Sequence, residues 1–387
     1  MRIVFAANTL SFLLSYKLGL AKLLITRGYQ VTFIGGDEKI PSYLNEQYEE
    51  MLQLSKTGKL EVKQSLKRGA LPMTIAYNII TIAKLFTSKH YTHLVFHTAT
   101  INLAAILIAK LLRRKEKKVS YFVSGFGPIR IRKALKYRFG YSVYLSLLQL
   151  LAQERNARIF ALNNYDHRLI QDFSSKTVVI TVREFGSDEK LIMRLQERLS
   201  RENTERNIKE LRCLFIGRTL LEKGVNETIE AIRIARKLGH NISLSIIGSH
   251  DIHNKSSIKL TNLIQKGESF INVYPDTTKL ESIICDMDVF ISSSMREGHP
   301  KYLILSMSAG LIPLVYPSPG LTRDVIDGYN GIVTNRDSPE SMAAELIKLY
   351  NSPDKARDIR FNILNYCNVY TQKEVDNCLM SKVLHED

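Results

Sequence analysis

Short β-rich runs alternate with helical patterns along the first half of the chain, and the same alternation begins again after residue 210. In the first stretch, Arg2–Ala7, Gln30–Ile34, His93–His97 and Lys118–Val123 are separated by the helical patterns Leu10–Gly28, Met73–Ser88 and Ile101–Leu112. In the second, Leu211–Ile216, Ile242–Ile247, Asp288–Ser292 and Ile312–Tyr316 alternate with Val225–Leu238 and Lys301–Ala309. A strand that returns parallel to its neighbour needs a crossover, and a helix supplies one, so this order predicts a doubly wound parallel sheet, twice. At 387 residues the chain is long enough for two domains, each with its own core. The expected fold class is α/β, with two Rossmann-like domains facing each other. The turn Phe185-Gly186-Ser187-Asp188 and the polar helical pattern Glu189–Asn207 place the boundary near Glu189, so the first domain is expected over residues 1–188.

Charge divides the two halves. Residues 1–190 hold 29 Lys and Arg against 13 Asp and Glu, whereas residues 191–387 hold 25 against 25, so the net +16 belongs to the first half. A basic face attracts polyanions: nucleic acid, an anionic membrane leaflet or a diphosphate-bearing substrate. The run Arg113-Arg114-Lys115-Glu116-Lys117-Lys118 joins a helical pattern to a strand and reads equally well as a solvated turn. Arg130, Arg132, Lys133, Lys136 and Arg138 interleave with Tyr137, Phe139, Tyr141 and Tyr144. Cations beside aromatic and leucine side chains suit a helix at a lipid headgroup layer; a buried helix with a charged first turn is the alternative.

The longest apolar helical patterns, around Ile101–Leu112 and Ser142–Ala152, fall short of the roughly 20 residues that span a bilayer. Asn8, Thr9 and Ser11 interrupt the N-terminal apolar run too early for a signal peptide. The expected location is cytoplasmic, at the inner face of the plasma membrane. Cys213, Cys285, Cys367 and Cys378 have no paired metal spacing and are expected to be reduced thiols. Walker A and G-x-G-x-x-G patterns are missing, which argues against kinase and dehydrogenase chemistry.

The stretch Ser292-Ser293-Ser294-Met295-Arg296-Glu297-Gly298-His299-Pro300 sets one carboxylate on a Gly/Pro loop that ends an apolar run and opens a helix. Unpaired backbone N–H groups and the helix dipole favour a phosphate there, so a nucleotide-linked substrate is expected. Gly217-Arg218-Thr219-Leu220-Leu221-Glu222-Lys223-Gly224 sets two cations either side of a short loop after a strand, where both can reach one phosphate. Solvated loop cations are the alternative. Ser124-Gly125-Phe126-Gly127 follows a strand and lets backbone approach a ligand, or is a packing turn. Asn8 and His97 end two further strands, where polar side chains often meet substrate; a structural histidine is as good a reading of His97.

The order of these blocks resembles the retaining GT-B glycosyltransferases of family 4, in which P-S-x-x-E-G-x-P-x-x-x-x-E is followed by D-G-x-N-G, here Asp327-Gly328-Tyr329-Asn330-Gly331. Gly217–Val225 is similar to the family's G-R-L-x-x-x-K-G-x. Phe12-Leu13-Leu14-Ser15-Tyr16-Lys17-Leu18 and Ser124–Gly127 are similar to F-x-L-S-H-R-L and T-G-L-G of a subgroup that extends polyprenyl-diphosphate-linked bacterial surface glycans of O-antigen or capsule type. The resemblance implies a GT-B fold of two Rossmann-like domains across a cleft, a nucleotide-sugar domain over residues 189–365, and a C-terminal helix over 366–387 crossing back to the N-terminal domain. It implies transfer with retention from a UDP-hexose or UDP-N-acetylhexosamine to a lipid-linked glycan, with Arg218, Lys223 and Glu297 catalytic. Gly217, Gly298, His299, Pro300, Lys301 and Leu305 would bind donor, and Asn8, His97, Ser124, Gly125 and Gly127 would form the acceptor side or a phosphate loop. Leu305 stands where the family has its second Glu, a ribose ligand, and Arg323 where it usually has Glu. Asp286-Met287-Asp288 has DxD spacing but sits where the family has A-D-V, so Asp288 is expected to be structural and neither metal nor cofactor is expected. The expected partners are the nucleotide sugar, the polyprenyl-diphosphate-linked glycan and the anionic inner leaflet, with no nucleic acid. A degenerate GT-B glycan-binding scaffold and a GT-B nucleotide-sugar epimerase are the competing readings.

Overall fold

The computed structural model describes residues 1–36, 40–41, 44–66, 72–112, 117–123, 146, 156–172, 178–201, 210–248, 256–262, 264, 267–274, 280–335 and 337–386. The Ser124–Gly127 loop and the cationic cluster from Arg130 to Arg138 lie outside these residues. The chain divides into two compact units, Met1–Glu184 with Val375–Asp387, and Phe185–Glu374. Those limits compare with 188/189 and 365/366 expected from the sequence.

Among the described residues, the N-terminal unit is built on seven parallel strands in the order β3-β2-β1-β4-β5-β6-β7. These are β1 (Arg2–Ala6), β2 (Gln30–Gly36), β3 (Leu60–Leu66), β4 (His93–His97), β5 (Lys118–Val123), β6 (Ala157–Ala161) and β7 (Val178–Thr181). Ile3 pairs with Val31 on one side and with His93 on the other, so β1 is central and apolar on both faces. Helices α3 (Pro72–Thr87) and α4 (Ala99–Leu112) cover one face through Ile82, Leu85, Phe86, Ile101, Ala105 and Ile108. The other face packs against α1 (Leu10–Thr26), Met51 of α2 (Asn45–Lys56) and the C-terminal residues Val375, Leu379 and Val383. Thr9 caps α1 by accepting from the Phe12 N–H at 3.2 Å. A short helix, α5 (Asn164–Gln171), links β6 to β7. The sequence pattern did not reveal α2 or β3, because α2 buries only Met51 and most of β3 is polar or exposed.

The second unit repeats the plan with, among the described residues, six parallel strands in the order β10-β9-β8-β11-β12-β13. They are β8 (Leu211–Ile216), β9 (Ile242–Ile247), β10 (Ile271–Tyr274), β11 (Val289–Ser292), β12 (Ile312–Val315) and β13 (Ile332–Val333). The helices are α6 (Glu189–Arg201), α7 (Val225–Lys237), α8 (Leu280–Cys285), α9 (Lys301–Ser308), α10 (Pro339–Tyr350) and α11 (Pro353–Val369). The pattern expected as one helix over Glu189–Asn207 is helical to Arg201 and then leaves the described residues. The helix expected over 366–387 is corrected by a break: α11 ends at Val369, and α12 runs Gln372–Leu384. The helix breaks at Tyr370 and Thr371 because the Tyr370 carbonyl and the Gln372 N–H serve another chain segment. Ser187 donates to the Tyr370 carbonyl at 2.7 Å, accepts from Gln372 N–H at 3.0 Å, and forms a bridge with Thr371.

Candidate active site

In a doubly wound sheet the strand order reverses at one place, and the carboxyl ends of the strands on either side frame a crevice. In the C-terminal unit that place lies between β8 and β11, which pair through Val289↔Cys213 and Phe290↔Leu214. Gly217 and Arg218 follow β8, and Ser293 to Glu297 follow β11. The structure joins the two loops through Lys223, whose Nζ donates to Glu297 Oε1 at 2.5 Å. Arg218 is exposed on its turn, which is held by Leu220 N–H donating to the Arg218 carbonyl at 2.8 Å.

Backbone conformation fixes this arrangement. Gly224 has φ of 74° and opens α7 without a side-chain cap. A Cβ there would sit 2.3 Å from the Ser293 carbonyl oxygen, so the two loops approach too closely for any other residue. Ser293 donates to the Gly224 carbonyl, its hydroxyl lies 2.7 Å from that of Thr228, and Met295 N–H donates to the Glu222 carbonyl at 3.2 Å. On its other side the Glu297 backbone rests on Gly320, where a Cβ would lie 2.2 Å from the Glu297 carbonyl oxygen. Pro300 opens α9, again without a side-chain cap. Two uncapped helix N-termini therefore stand at one strand crossing, the usual setting for an anion.

His299, expected at the donor, has its ring buried and engaged by protein. Phe185 N–H donates to Nδ1 at 3.3 Å, so the ring proton sits on Nε2, 3.1 Å from Asp324 Oδ2. The ring also stacks on Phe185, and Tyr366 donates to Asp324 Oδ1 at 2.5 Å. Burial alone would raise the Asp324 pKa, but His299 and Tyr366 hold it at about 2. His299 thus anchors the Glu297 loop. Asp324 and Tyr366 had no motif to announce them, because they matter only through contacts made after folding.

Lys301 and Leu305 are four apart on α9 and share one side of it, both half-buried. Burial pushes the Lys301 amine down to about 8. Gly217 and Gly298 are half-buried in their loops. Asp288 is tied up by arginines, with Arg198 donating at 2.8 Å and Arg212 at 3.2 Å. Burial would raise its pKa, yet Arg212 and Arg198 hold the carboxylate below its ordinary value. Among the described residues no group of three or more His, Cys, Asp and Glu side chains could hold a metal ion.

The N-terminal unit has its own strand reversal, between β1 and β4, and Asn8 and His97 stand there. Asn8 Oδ1 accepts from Thr100 Oγ1 at 2.9 Å, and Thr98 between them adopts φ of 71°, a strained conformation for a β-branched residue. His97 is buried, its ring stacked 4.4 Å from Phe122; burial and the neighbouring Lys17 hold its pKa well below the ordinary value. Lys17 forms an ion pair with Glu184 at 2.6 Å and lies 4.3 Å from the Phe122 ring centre. The buried Glu184 was not singled out by its sequence context. Ser124, Gly125 and Gly127 lie outside the described residues.

Comparison with known proteins adds to this geometry. An uncharacterized glycosyltransferase of Methanocaldococcus jannaschii is 24% identical over 68% of this chain and 67% of its own length. The capsular polysaccharide biosynthesis glycosyltransferase CapM of Staphylococcus aureus is 23% identical over 67% of this chain and 69% of its own. A GDP-mannose:cellobiosyl-diphosphopolyprenol alpha-mannosyltransferase of Xanthomonas oryzae is 26% identical over 42% of this chain and 43% of its own. Among solved structures, sucrose-phosphate synthase of Thermosynechococcus elongatus superposes with a TM-score of 0.75 at 14% identity, covering 100% of this chain and 98% of that one. Anabaena HepE, solved in complex with UDP-glucose, gives 0.71 at 13% identity with both chains fully covered (100%). The fold is thus the pair of Rossmann-like parallel-sheet domains of the GT-B glycosyltransferases. Residues 196–364, which contain the Lys223–Glu297 pair and both uncapped helix N-termini, match the family described as glycosyl transferases group 1.

Proposed function

We propose that this protein is a retaining, metal-independent glycosyltransferase of family 4 type. It moves a hexose or N-acetylhexosamine from a UDP-sugar to a polyprenyl-diphosphate-linked glycan in surface polysaccharide assembly, at the inner face of the plasma membrane. The observation that carries the reading is Lys223 held at 2.5 Å by Glu297, beside two helix N-termini that lack side-chain caps. As the glycosidic bond of a nucleotide sugar breaks, negative charge collects on the departing diphosphate. A fixed ammonium and oriented backbone N–H groups stabilise that charge without reorganising. Arg218 is the second cation, Glu297 aligns donor hydroxyls, and the leaving phosphate takes the acceptor proton on the same face of the sugar. Gly217, Gly298, Pro300 and Lys301 shape the donor site, and Asn8 belongs to the acceptor side. A UDP-glucose complex of the HepE structure, the capsular role named for CapM and the diphosphopolyprenol acceptor of the Xanthomonas enzyme support the substrate classes.

The basic charge of the first half serves diphosphates and anionic lipid, and affinity for RNA or DNA is expected to vanish at physiological salt. The test is incubation with UDP-glucose, UDP-N-acetylglucosamine and GDP-mannose, with and without a synthetic polyprenyl-diphosphate sugar. Acceptor-dependent release of UDP and a product of unchanged anomeric configuration are expected. No release from any donor would leave a scaffold, and epimerised sugar without acceptor would make the protein an epimerase.

A further inference from the structure

α3 and α4 form one layer on the N-terminal sheet, packed side by side, with their inner side chains in a single apolar cluster. Their outer sides are apolar as well. Along α3, Met73, Tyr77 and Ile80 recur at helical spacing with Lys84 one turn on, and Met73 is 85% exposed. On α4, Leu107 and Leu111 are exposed, Leu111 at 81%. A helix that is apolar all round is ordinarily buried all round, and here one side of each helix is left uncovered.

The charge around this layer has one sign. α3 and α4 carry Lys84 and Lys110 and contain no Asp or Glu. The helices that cover the C-terminal sheet are different: α7 carries Glu230 beside Arg233, and α10 carries Glu345 beside Lys348. Exposed methionine, leucine, isoleucine and tyrosine side chains beside lysines, with no carboxylate on either helix, match a layer with an apolar interior and an anionic surface. They do not match a second copy of this chain packed through the same two helices, which would bring the same cations and no carboxylate to meet them.

We propose that the outer side of α3 and α4 docks on the surface of an anionic lipid bilayer. Met73, Ile80, Leu107 and Leu111 insert among the upper acyl chains, Tyr77 sits at the headgroup level, and Lys84 and Lys110 reach the lipid phosphates. A helix of 16 residues lying flat offers about 24 Å of contact. The inference rests on the membrane location proposed above but assigns it to a definite surface.

The experiment is sedimentation of the full chain with vesicles of about 30% phosphatidylglycerol in phosphatidylcholine, at low and physiological salt. The wild type is compared with Met73→Ser/Ile80→Ser/Leu111→Ser and with Arg130→Ala/Arg132→Ala/Lys133→Ala. These three apolar side chains are exposed, so the first variant should keep its thermal midpoint and its slow hydrolysis of donor by water. The wild type is expected to bind, more weakly at higher salt, and the Ser variant to lose about tenfold or more in affinity. Equal binding by the Ser variant overturns this surface while the membrane location stands. Failure of the wild type to bind any vesicle overturns both. A wild-type dimer that becomes monomeric in the Ser variant assigns the face to a second copy and overturns the proposal.

Discussion

Each unit contains a Lys–Glu pair near its strand reversal, and the two pairs differ in exposure. Lys17 and Glu184 meet at 2.6 Å with side chains 0% and 3% exposed, whereas Lys223 and Glu297 meet at 2.5 Å with 24% and 16% exposed. Taking two charges out of water is costly, and their attraction repays it only while both are present. The Lys17–Glu184 pair, with Phe122 against the ammonium, is therefore committed to the fold. The Lys223–Glu297 pair keeps a side open to solvent, so a phosphate can compete for the ammonium and sugar hydroxyls for the carboxylate. Burial, rather than residue type or distance, separates a structural pair from one that can exchange partners.

The comparison breaks most sharply at Lys17. Lys17→Ala leaves Glu184 charged and buried, and is expected to remove about 3–5 kcal/mol of stability. Lys17→Met with Glu184→Leu should recover much of that loss. Urea unfolding reads both, and a loss under about 1 kcal/mol for the single variant would mean that the pair is not committed to the fold.

In the open pair, Lys223→Ala is expected to cut turnover by about 10²-fold or more while the thermal midpoint moves little, since one preorganised contact to the developing charge is gone. Glu297→Gln should act in the same direction. Near-normal turnover with a lowered midpoint would make this pair structural too and erase the contrast.

A third, smaller effect concerns the loop anchor. Against the effect of burial, His299 and Tyr366 hold Asp324 at about 2, below the 3.8 of an ordinary aspartate, so it contributes stability above about pH 4 that is lost as pH falls towards 2. Asp324→Asn should flatten that part of the stability profile and raise KM for donor through a loosened Glu297 loop. An unchanged acid limb, measured by unfolding between pH 2 and 5, would show that the His299–Asp324 contact adds nothing.

Lys301 offers a finer test, because an amine at about 8 loses its charge just above neutral pH. If it meets donor phosphate, KM for donor should climb above pH 8 in the wild type, and Lys301→Arg should remove the climb. A wild-type KM that stays level to pH 9 would take Lys301 out of the donor site.

The smallest effect is expected at Leu305. Without a carboxylate on this side of α9, ribose and 2′-deoxyribose donors should be distinguished poorly, and Leu305→Glu should add about tenfold discrimination. Strong discrimination by the wild type would assign the ribose contact to another group.

The sequence by itself determined the two parallel-sheet domains, because the alternation of strand and helix periods leaves few other ways to bury both faces of each sheet. It also determined which loops carry the cations and the carboxylate, since Gly224 and Gly320 are required by close backbone contact at those points. It failed where an element is held by its neighbours and not by its own periodicity, as with α2 and β3, and where a helical pattern runs through Tyr370-Thr371 although the Tyr370 carbonyl and the Gln372 N–H are claimed by Ser187. Only the tertiary structure decided that His299 points into the protein, that Glu184 is the partner of Lys17, and that Asp324 and Tyr366 support the loop. Those roles depend on burial and on contacts between residues far apart in sequence, as Lys17 with Glu184 and Tyr366 with Asp324, 42 positions apart. A local pattern records what each segment would bury, while the pairing of buried charges is settled only when segments distant in sequence are brought together.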